Sequence, residues 1–345
     1  MKTVFTSPRE FLNWLVSNQF LAESHARALR QLPAALTDNH TFAKALLDRN
    51  WLTPYQVNKI LQGKGRHLIV GPYRLVQKLG AGAMGEVFKC WSHKLAMFVA
   101  LKMIHKVHLT SKKAMDRFFR EMETAGKLDH PNIVLLRDAD AIDDRPYMVM
   151  NYVDGIDLSR KVKRDGPLSV AAAVSFVRQA ALGLEHAFQR GVVHRDIKPG
   201  NLLVTRDAAP LVKISDFGLA RFESENGSEG RLTQAGAVLG TVDYIAPEQA
   251  QNARQADIRA DIYSLGCTLF YLLTAQPPFS GESIVEKVSA RLTGDLADPR
   301  SYRADIPAGL VAVLQRMTKR RPAERLQAPR EVAMALEPYC MSLPS

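Results

Sequence analysis

The stretch Val193–Asn201, with the sequence V-H-R-D-I-K-P-G-N, constrains the fold of this chain more than any other segment. It places a carboxylate (Asp196), an ammonium group (Lys198) and a carboxamide (Asn201) within six positions. A Pro-Gly pair in the same stretch excludes a regular helix or strand, so the three side chains can converge on one point. A proton acceptor beside a cation that can hold a phosphate, together with an amide oxygen suited to Mg²⁺, indicates phosphoryl transfer.

The pattern H-R-D-x-K-x-x-N in this stretch resembles the catalytic loop of protein kinases, and the position of its lysine resembles the serine/threonine type. The resemblance implies that Asp196 accepts the proton of a Ser or Thr hydroxyl and that Lys198 meets the γ-phosphate of ATP. It implies that Asn201 and Asp216, the latter from a D-F-G sequence twenty residues after H-R-D, hold Mg²⁺, with Mn²⁺ as an alternative metal. It also gives Thr241 the role of bridging Asp196 and Lys198.

A second motif, the G-x-G-x-x-G-x-V pattern of residues 80–87, lies between two predicted strands, Tyr73–Leu79 and Glu86–Trp91. Glycines let the backbone fold tightly over phosphates, and its N–H groups can then face the anion. A dinucleotide-binding turn has the same spacing but is followed by a helix, so the strand that follows here favours the kinase loop. The resemblance implies a nucleotide site formed by Gly80, Ala81, Gly82, Ala83, Met84, Gly85, Val87, Ala100, Lys102, Met150, Tyr152, Val153 and Leu203.

The segment Val99–Lys102 (V-A-L-K) resembles the kinase strand whose lysine contacts the α- and β-phosphates. A lysine among apolar strand residues is costly to bury without an anion. Glu121 is the predicted partner of Lys102, on a helix predicted from about Lys112 to Leu128. The inward face of that helix is predicted to carry Phe118, Met122 and Ala125.

Residues 219–245 resemble the activation segment of kinases, and their polar, glycine-rich centre predicts a segment that is mobile until something orders it. Arg195, beside the catalytic aspartate, is a cation that can clamp a phosphorylated residue of this segment. Thr233 is the predicted phosphoacceptor and Ser228 the second candidate, with autophosphorylation in trans between two chains of a homodimer. A permanently ordered segment that needs no phosphate is the alternative.

Three further residues are predicted to hold the site in shape. Residues 240–248 (G-T-V-D-Y-I-A-P-E) resemble the peptide-docking end of the activation segment, and Glu248 is expected to pair with Arg325. Arg321 stands where the family usually has an acid, so the loop around this pair departs from the pattern. Asp261 is expected to accept backbone N–H groups from the catalytic loop and to hold its irregular shape.

Residues 1–66 carry a different pattern, which predicts a small all-α unit separate from the rest. Two helix-start signals, Ser7–Glu10 and Thr53–Gln56, each place proline at the first helical position. A shift of 31 residues superimposes apolar positions of the two halves, which predicts a duplicated helical hairpin and a four-helix bundle. The superimposed residues are Phe11, Leu15, Val16, Phe20, Leu21 and Leu29 on Phe42, Leu46, Leu47, Trp51, Leu52 and Ile60.

Two roles are open for this helical unit. It has no clustered carboxylates and no metal-ligand spacing, so it is interpreted as an interaction or docking module for an unknown partner. A stabilising extension packed on the kinase domain explains the same sequence. Gly63–Arg66 is the predicted linker between the unit and the rest of the chain.

Composition limits the compartments and partners of the chain. The net charge is +11, from 46 basic and 35 acidic residues, but the basic residues are dispersed without interleaved aromatics, which speaks against nucleic acid. Three widely spaced cysteines indicate neither a metal site nor a disulfide framework, and favour a reducing compartment. The polar start and the lack of any run near the roughly 20 apolar residues of a membrane span predict a cytoplasmic location.

Together the motifs predict an α+β, two-lobed protein kinase fold similar to the bacterial eukaryotic-like serine/threonine group. The predicted kinase domain, residues 73–338, divides into a β-rich small lobe (73–150), a hinge (151–154) and a mostly α-helical large lobe (155–338). Its expected substrates are Ser or Thr hydroxyls of proteins. A pseudokinase scaffold and a small-molecule phosphotransferase are the alternatives. The intact acid, lysine and metal-ligand positions speak against the first, and the peptide-docking segment speaks against the second.

Overall fold

The computed structural model describes residues 5–31, 38–108, 111–217, 242–252, 256–281 and 283–340. The chain divides into two compact units. The first contains Met1–Lys106 and Ala139–Tyr152, and the second contains Val107–Asp138 and Val153–Ser345.

The first unit consists of four short helices followed by an antiparallel sheet. The helices are α1 (Pro8–Ser17), α2 (Glu23–Arg30), α3 (Asn39–Asp48) and α4 (Pro54–Leu61). The strands are β1 (Ile69–Val70), β2 (Tyr73–Gly82), β3 (Gly85–Ser92), β4 (Met97–Ile104), β5 (Leu136–Ile142), whose first residues lie beyond the division, and β6 (Arg145–Asn151). Their order in the sheet is β1-β2-β3-β4-β6-β5.

The helical duplication extends to the backbone. The 31-residue shift places α1 on α3 and α2 on α4 with identical bounds. The turns after α1 and α3 also correspond, because Gln19 and Asn50 both adopt the left-handed conformation, at φ +61° and +55°. In each turn the following N–H donates to a carbonyl five residues back, at 2.9 and 3.0 Å. The two halves therefore share one hairpin geometry.

The four helices share one hydrophobic core with the sheet, which differs from the separate unit that the sequence predicts. Helices of eight to ten residues bury too little apolar surface to be stable alone, so their inner faces pack on the strands. The helices contribute Phe11, Leu15, Phe42, Leu46 and Ile60, among others, and the sheet contributes Leu75, Phe88, Cys90, Leu101 and Val149. The predicted linker is also packed: Gly65 is buried in a 3₁₀ turn against the Trp14 ring.

The strand register separates the two faces of this sheet. Phe88 pairs with Leu101, and Leu101 pairs with Val149, so these three side chains lie on the face that the helices cover. Val87 pairs with Lys102 on the opposite face. The residues predicted to contact the nucleotide base, Ala100 and Met150, pair with each other on that opposite face as well.

The second unit is mostly helical. Its helices are α5 (Lys112–Ala125), α6 (Leu158–Asp165), α7 (Val170–Phe188), α8 (Pro247–Gln251), α9 (Ile258–Thr274), α10 (Ile284–Thr293), α11 (Ala308–Met317) and α12 (Pro329–Leu336). A small sheet has the order β7-β8-β9, from β7 (Gly155–Asp157), β8 (Leu202–Thr205) and β9 (Val212–Ile214).

The central helices α7 and α9 are apolar on most sides and form the core of this unit. Ser169 caps α7 by accepting the Ala172 N–H, and Asp257 caps α9 by accepting the Arg259 N–H. Each of these two helices is therefore capped at its N-terminal end. None of the helices in the described part of the chain is long and apolar enough to cross a bilayer.

Candidate active site

The loop that begins at Val193 is anchored by one buried carboxylate. Asp261, near the start of α9, is fully buried and accepts the N–H of His194 at Oδ2 and the N–H of Arg195 at Oδ1, both at 2.7 Å. Burial raises the pKa of this carboxyl, whereas the two N–H donors favour its charged form. Because both oxygens accept, we assign it as the carboxylate. The predicted contact is observed, and it holds Arg195 in the left-handed conformation at φ +67°.

The three side chains singled out in the sequence converge. The Lys198 Nζ atom lies 2.7 Å from Oδ2 and 3.0 Å from Oδ1 of Asp196. Asn201 Nδ2 donates to the Asp196 carbonyl at 2.7 Å and to its Oδ2 at 3.0 Å. The Asp196 side chain keeps 30% of its surface exposed and that of Lys198 keeps 23%, so both can reach a substrate. The arrangement combines a proton acceptor with a cation for a phosphate.

His194 joins this cluster to the D-F-G sequence, a role that was not predicted from the sequence. Its Nδ1 accepts the Asp196 N–H at 3.2 Å, so the neutral ring carries its proton on Nε2, which donates to the Ser215 carbonyl at 2.8 Å. The Phe217 ring packs edge-on against it, with 4.6 Å between centroids. The first letter of the H-R-D pattern is the signal that could have identified this residue.

Asn201 and Asp216, the predicted metal ligands, are linked through the backbone. The Asn201 carbonyl accepts the Ser215 N–H at 2.9 Å, and Asp216 follows in the left-handed conformation at φ +66°. Within the described residues, no group of three His, Cys, Asp or Glu side chains could hold a metal by itself. A carboxylate and an amide oxygen nevertheless fit Mg²⁺, which is bound in proteins by few side chains and completes its shell with phosphates and water.

The predicted structural ion pair is observed. The Arg325 guanidinium donates to both carboxylate oxygens of Glu248, at 2.6 and 2.7 Å, and its side chain is fully buried. Arg321 is exposed and lies 3.7 Å from Glu324, so its departure from the family pattern does not reach the pair. From the same helix as Glu248, Gln249 donates to the Arg195 carbonyl at 2.9 Å and ties α8 to the functional loop.

The glycine-rich stretch is a tight hairpin between β2 and β3. Gly82 pairs with Gly85, so only Ala83 and Met84 form the turn, and strands run through the glycines that the sequence predicted as a loop. A Cβ at Gly85 would overlap the Met103 carbonyl oxygen of β4, so this position requires glycine. The strands approach too closely there for any side chain.

The remaining predicted site residues are distributed as follows. Lys102 is buried on β4, and Glu121 lies half-buried on α5. These two belong to different units, and their pairing stays a prediction. Tyr152, Val153 and Leu203 are half-buried. Thr241, Thr233 and Ser228 lie outside the described residues.

The protein kinase domain family matches residues 73–336. This chain belongs to the protein kinase family. Among solved structures, the PknI kinase domain of Mycobacterium tuberculosis matches with a TM-score of 0.62 and 29% identity, over 79% of this chain and 97% of that domain. The predicted family and fold class are thereby confirmed.

Curated relatives of this chain include bacterial proteins named serine/threonine-protein kinases. The serine/threonine-protein kinase PknD of Mycobacterium tuberculosis is 38% identical over 266 residues, which cover 77% of this chain and 39% of PknD. The serine/threonine-protein kinase PknB of Mycolicibacterium smegmatis is 36% identical over 264 residues, which cover 75% of this chain and 41% of PknB. The matched part thus amounts to about two fifths of each relative.

Proposed function

We propose that the chain transfers the γ-phosphate of ATP to Ser or Thr hydroxyls of protein substrates. One observation carries the proposal: the Asp196 carboxylate is held between the Lys198 ammonium and the Asn201 amide, in a loop anchored on Asp261. A scaffold without catalysis has no need of a part-exposed carboxylate oriented by two polar neighbours.

In this proposal Asp196 orients the substrate hydroxyl and accepts its proton as the oxygen attacks the γ-phosphorus and the bond from that phosphorus to the leaving oxygen of ADP breaks. Lys198 stabilises the negative charge that develops on the transferred phosphoryl group. An ammonium group has three donors, so Lys198 can bond the carboxylate and a phosphate oxygen at the same time. Thr241 is proposed to bridge the two side chains.

Asn201 and Asp216 are proposed to hold Mg²⁺, with Mn²⁺ as an alternative. When bound, the ion neutralises charge on the phosphates of ATP. The chain itself orients the ligands, because the Nδ2 atom of Asn201 is engaged by Asp196 and leaves Oδ1 as the ligand atom. The hydrogen bond between Asn201 and Ser215 fixes the backbone that leads into Asp216.

The opposite face of the first sheet is proposed as the nucleotide surface. Lys102, held by Glu121, contacts the α- and β-phosphates below the hairpin of residues 80–85. The shared face of Val87 and Lys102, and of Ala100 and Met150, supports this assignment. The residues proposed around the purine are Val87, Ala100, Met150, Tyr152, Val153 and Leu203.

Asp196→Asn tests the proposal. The full chain is incubated with labelled ATP, Mg²⁺ and a generic protein substrate, and the variant should lower transfer about a hundredfold or more, because it removes the general base. Asp207→Asn, at an exposed loop position, is the matched control and should keep full transfer. Equal transfer by Asp196→Asn and wild type refutes the assignment. ATP binding without transfer by the wild type indicates a pseudokinase scaffold.

Autophosphorylation at Thr233, or secondarily at Ser228, is the regulatory part of the proposal, with Arg195 as the phosphate-binding cation. It extends to a homodimer for transfer in trans, a cytoplasmic location and an unknown partner for residues 1–66. Thr233→Ala should lower transfer at least severalfold. Mass spectrometry of phosphosites after incubation with ATP checks it, and equal rates for dephosphorylated wild type and variant rule this switch out.

A further inference from the structure

Both copies of the duplicated hairpin are bound to strand β2, on three consecutive residues. In the first turn, the Asn18 carbonyl accepts from Arg74 Nε at 2.7 Å, and Gln19 Oε1 accepts from the same guanidinium at 3.2 Å. The Gln19 carbonyl also lies 3.0 Å from Nε2 of His93, in the turn after β3. Here the sheet supplies the side chains that bind the helical turn.

In the second copy the start of α4 supplies the donors. Thr53 Oγ1 donates to the Val76 carbonyl at 2.6 Å, and Gln56 Nε2 donates to the Leu75 carbonyl at 2.9 Å. Gln56 is only 5% exposed, and its Oε1 accepts the Thr53 N–H at 3.0 Å. The buried amide is therefore satisfied at both ends, and it is fixed to the strand.

The carbonyls of Leu75 and Val76 lie at a β-bulge. Leu75 pairs with Cys90 and Gln77 with Lys89, so Val76 is an extra residue with no partner on β3. A second register shift follows between Lys78 and Gly80. A bulge interrupts the ladder and bends its strand. The start of α4 therefore binds β2 at the point where its register changes.

The duplication separates this contact from ordinary helix capping. The 31-residue shift places Ala22 and His25 in the first copy where the second copy has Thr53 and Gln56. Helix α2 begins at Glu23 without a hydrogen bond from a side-chain cap. A helix of this repeat can thus form without the polar pair, so the pair has a further role in the second copy, which is its contact with β2.

The register of β2 decides the position of the glycine-rich hairpin. Gly80 pairs with Val87, and Val87 pairs with Lys102. A slip of one residue in β2 would turn its side chains to the other face and move the hairpin relative to that lysine. Contacts at the bulge therefore act on a segment that begins only four residues beyond Val76.

We infer that Thr53 and Gln56 are positioning residues for nucleotide binding. They hold the bulge of β2 and so fix the glycine-rich hairpin over the phosphates of ATP. The N-terminal repeat is then an integral part of the nucleotide-binding lobe. The inference rests on the proposed function, which supplies the nucleotide.

Two variants of the full chain test the inference, Thr53→Val and Gln56→Leu. Each removes a donor to β2 at nearly constant volume, and we expect the KM for ATP to rise about fivefold while kcat and the KM for the protein substrate change less than about twofold. Thr53→Ser keeps the hydroxyl and should restore the wild-type KM. Ser7→Ala is the matched control, because Ser7 caps α1 by accepting the Glu10 N–H and its loss should leave the KM for ATP unchanged.

Hydrogen exchange of the backbone amides of residues 78–86 is the second measurement. Faster exchange there in both variants, with α7 unchanged, supports the inference even if the chain transfers no phosphate. An unchanged KM for ATP and unchanged exchange in an active chain overturn it. Equal rises in Ser7→Ala and Thr53→Val also overturn it, because a general loss of helix stability would then explain both. If the wild type transfers no phosphate, the proposed function fails separately, and the exchange result still decides the contact.

Discussion

Replacement of Asp261 by asparagine tests whether one buried carboxylate holds the catalytic loop. Asp261 has no exposed surface and accepts two backbone N–H groups, from His194 and Arg195, at 2.7 Å each. Asparagine keeps one acceptor oxygen, whereas its NH₂ group would face the second N–H donor. The substitution therefore removes a charge and leaves one buried N–H without an acceptor, with little change in volume.

The expected loss of stability follows from these two bonds. A hydrogen bond to a charged group contributes about 1.5–3 kcal/mol, and an unsatisfied buried donor costs about 1–3 kcal/mol. We expect the free energy of unfolding to fall by about 2–4 kcal/mol. Because the bond to Arg195 also maintains its left-handed backbone, the loop should move, and kcat should fall at least about tenfold, the equivalent of roughly 1.4 kcal/mol.

Urea unfolding and labelled phosphate transfer measure the two effects on the full chain. Asp298→Asn is the control, since Asp298 is a part-exposed carboxylate that accepts a single backbone N–H, from Arg300 at 2.9 Å, and otherwise only the guanidinium of the same residue. Equal losses of stability in both variants would refute the reasoning. If Asp261→Asn changed neither the free energy of unfolding nor kcat, burial would keep this carboxyl protonated and the loop would not depend on its charge.

Three further outcomes are expected. Lys102→Met should abolish transfer and leave the thermal unfolding midpoint nearly unchanged, and retained transfer would contradict the assigned phosphate contact. Gly85→Ala should lower that midpoint, because its Cβ would overlap a β4 carbonyl. Gly82→Ala is the control and should leave the midpoint unchanged, because a Cβ there meets open space. Equal midpoints of the two variants would contradict the close approach of the strands at Gly85. The rings of His130 and His186 lie 5.0 Å apart, and burial lowers the pKa of both below the usual 6.5. The unfolded chain therefore binds more protons than the folded chain, so the free energy of unfolding should decrease as the pH falls below about 6.5. His186→Gln should flatten that dependence in urea titrations at several pH values, and an unchanged slope would exclude the pair as its source.

The local parts of the fold could be predicted from sequence because short-range chemistry determines them. The cluster of Asp196, Lys198 and Asn201 is confined to six positions around a Pro-Gly pair, and it converges as expected. Helix α5 begins at Lys112 as expected and buries Phe118, Met122 and Ala125. Even the long-range pair of Glu248 and Arg325 was predictable, because the kinase resemblance places both residues.

Features that depend on long-range contacts, and that no sequence motif indicates, could not be predicted. The role of His194 requires the Ser215 carbonyl, which reaches it only in the folded chain. The need for glycine at position 85 comes from a carbonyl of the neighbouring strand, not from the hairpin itself. The proposed pairing of Lys102 with Glu121 stays a prediction for the same reason, since it joins segments from two units.

The N-terminal repeat separates what the sequence determines from what only the tertiary structure decides. Periodic apolar residues, proline at the helix starts and the 31-residue shift determine four helices in two similar hairpins, because each signal acts within one or two turns of chain. Which surface those helices cover was decided by tertiary packing alone. Their apolar faces are too small to form a core by themselves, so they pack on the strands, and Thr53 and Gln56 find their partners at a bulge of β2 that no local pattern marks.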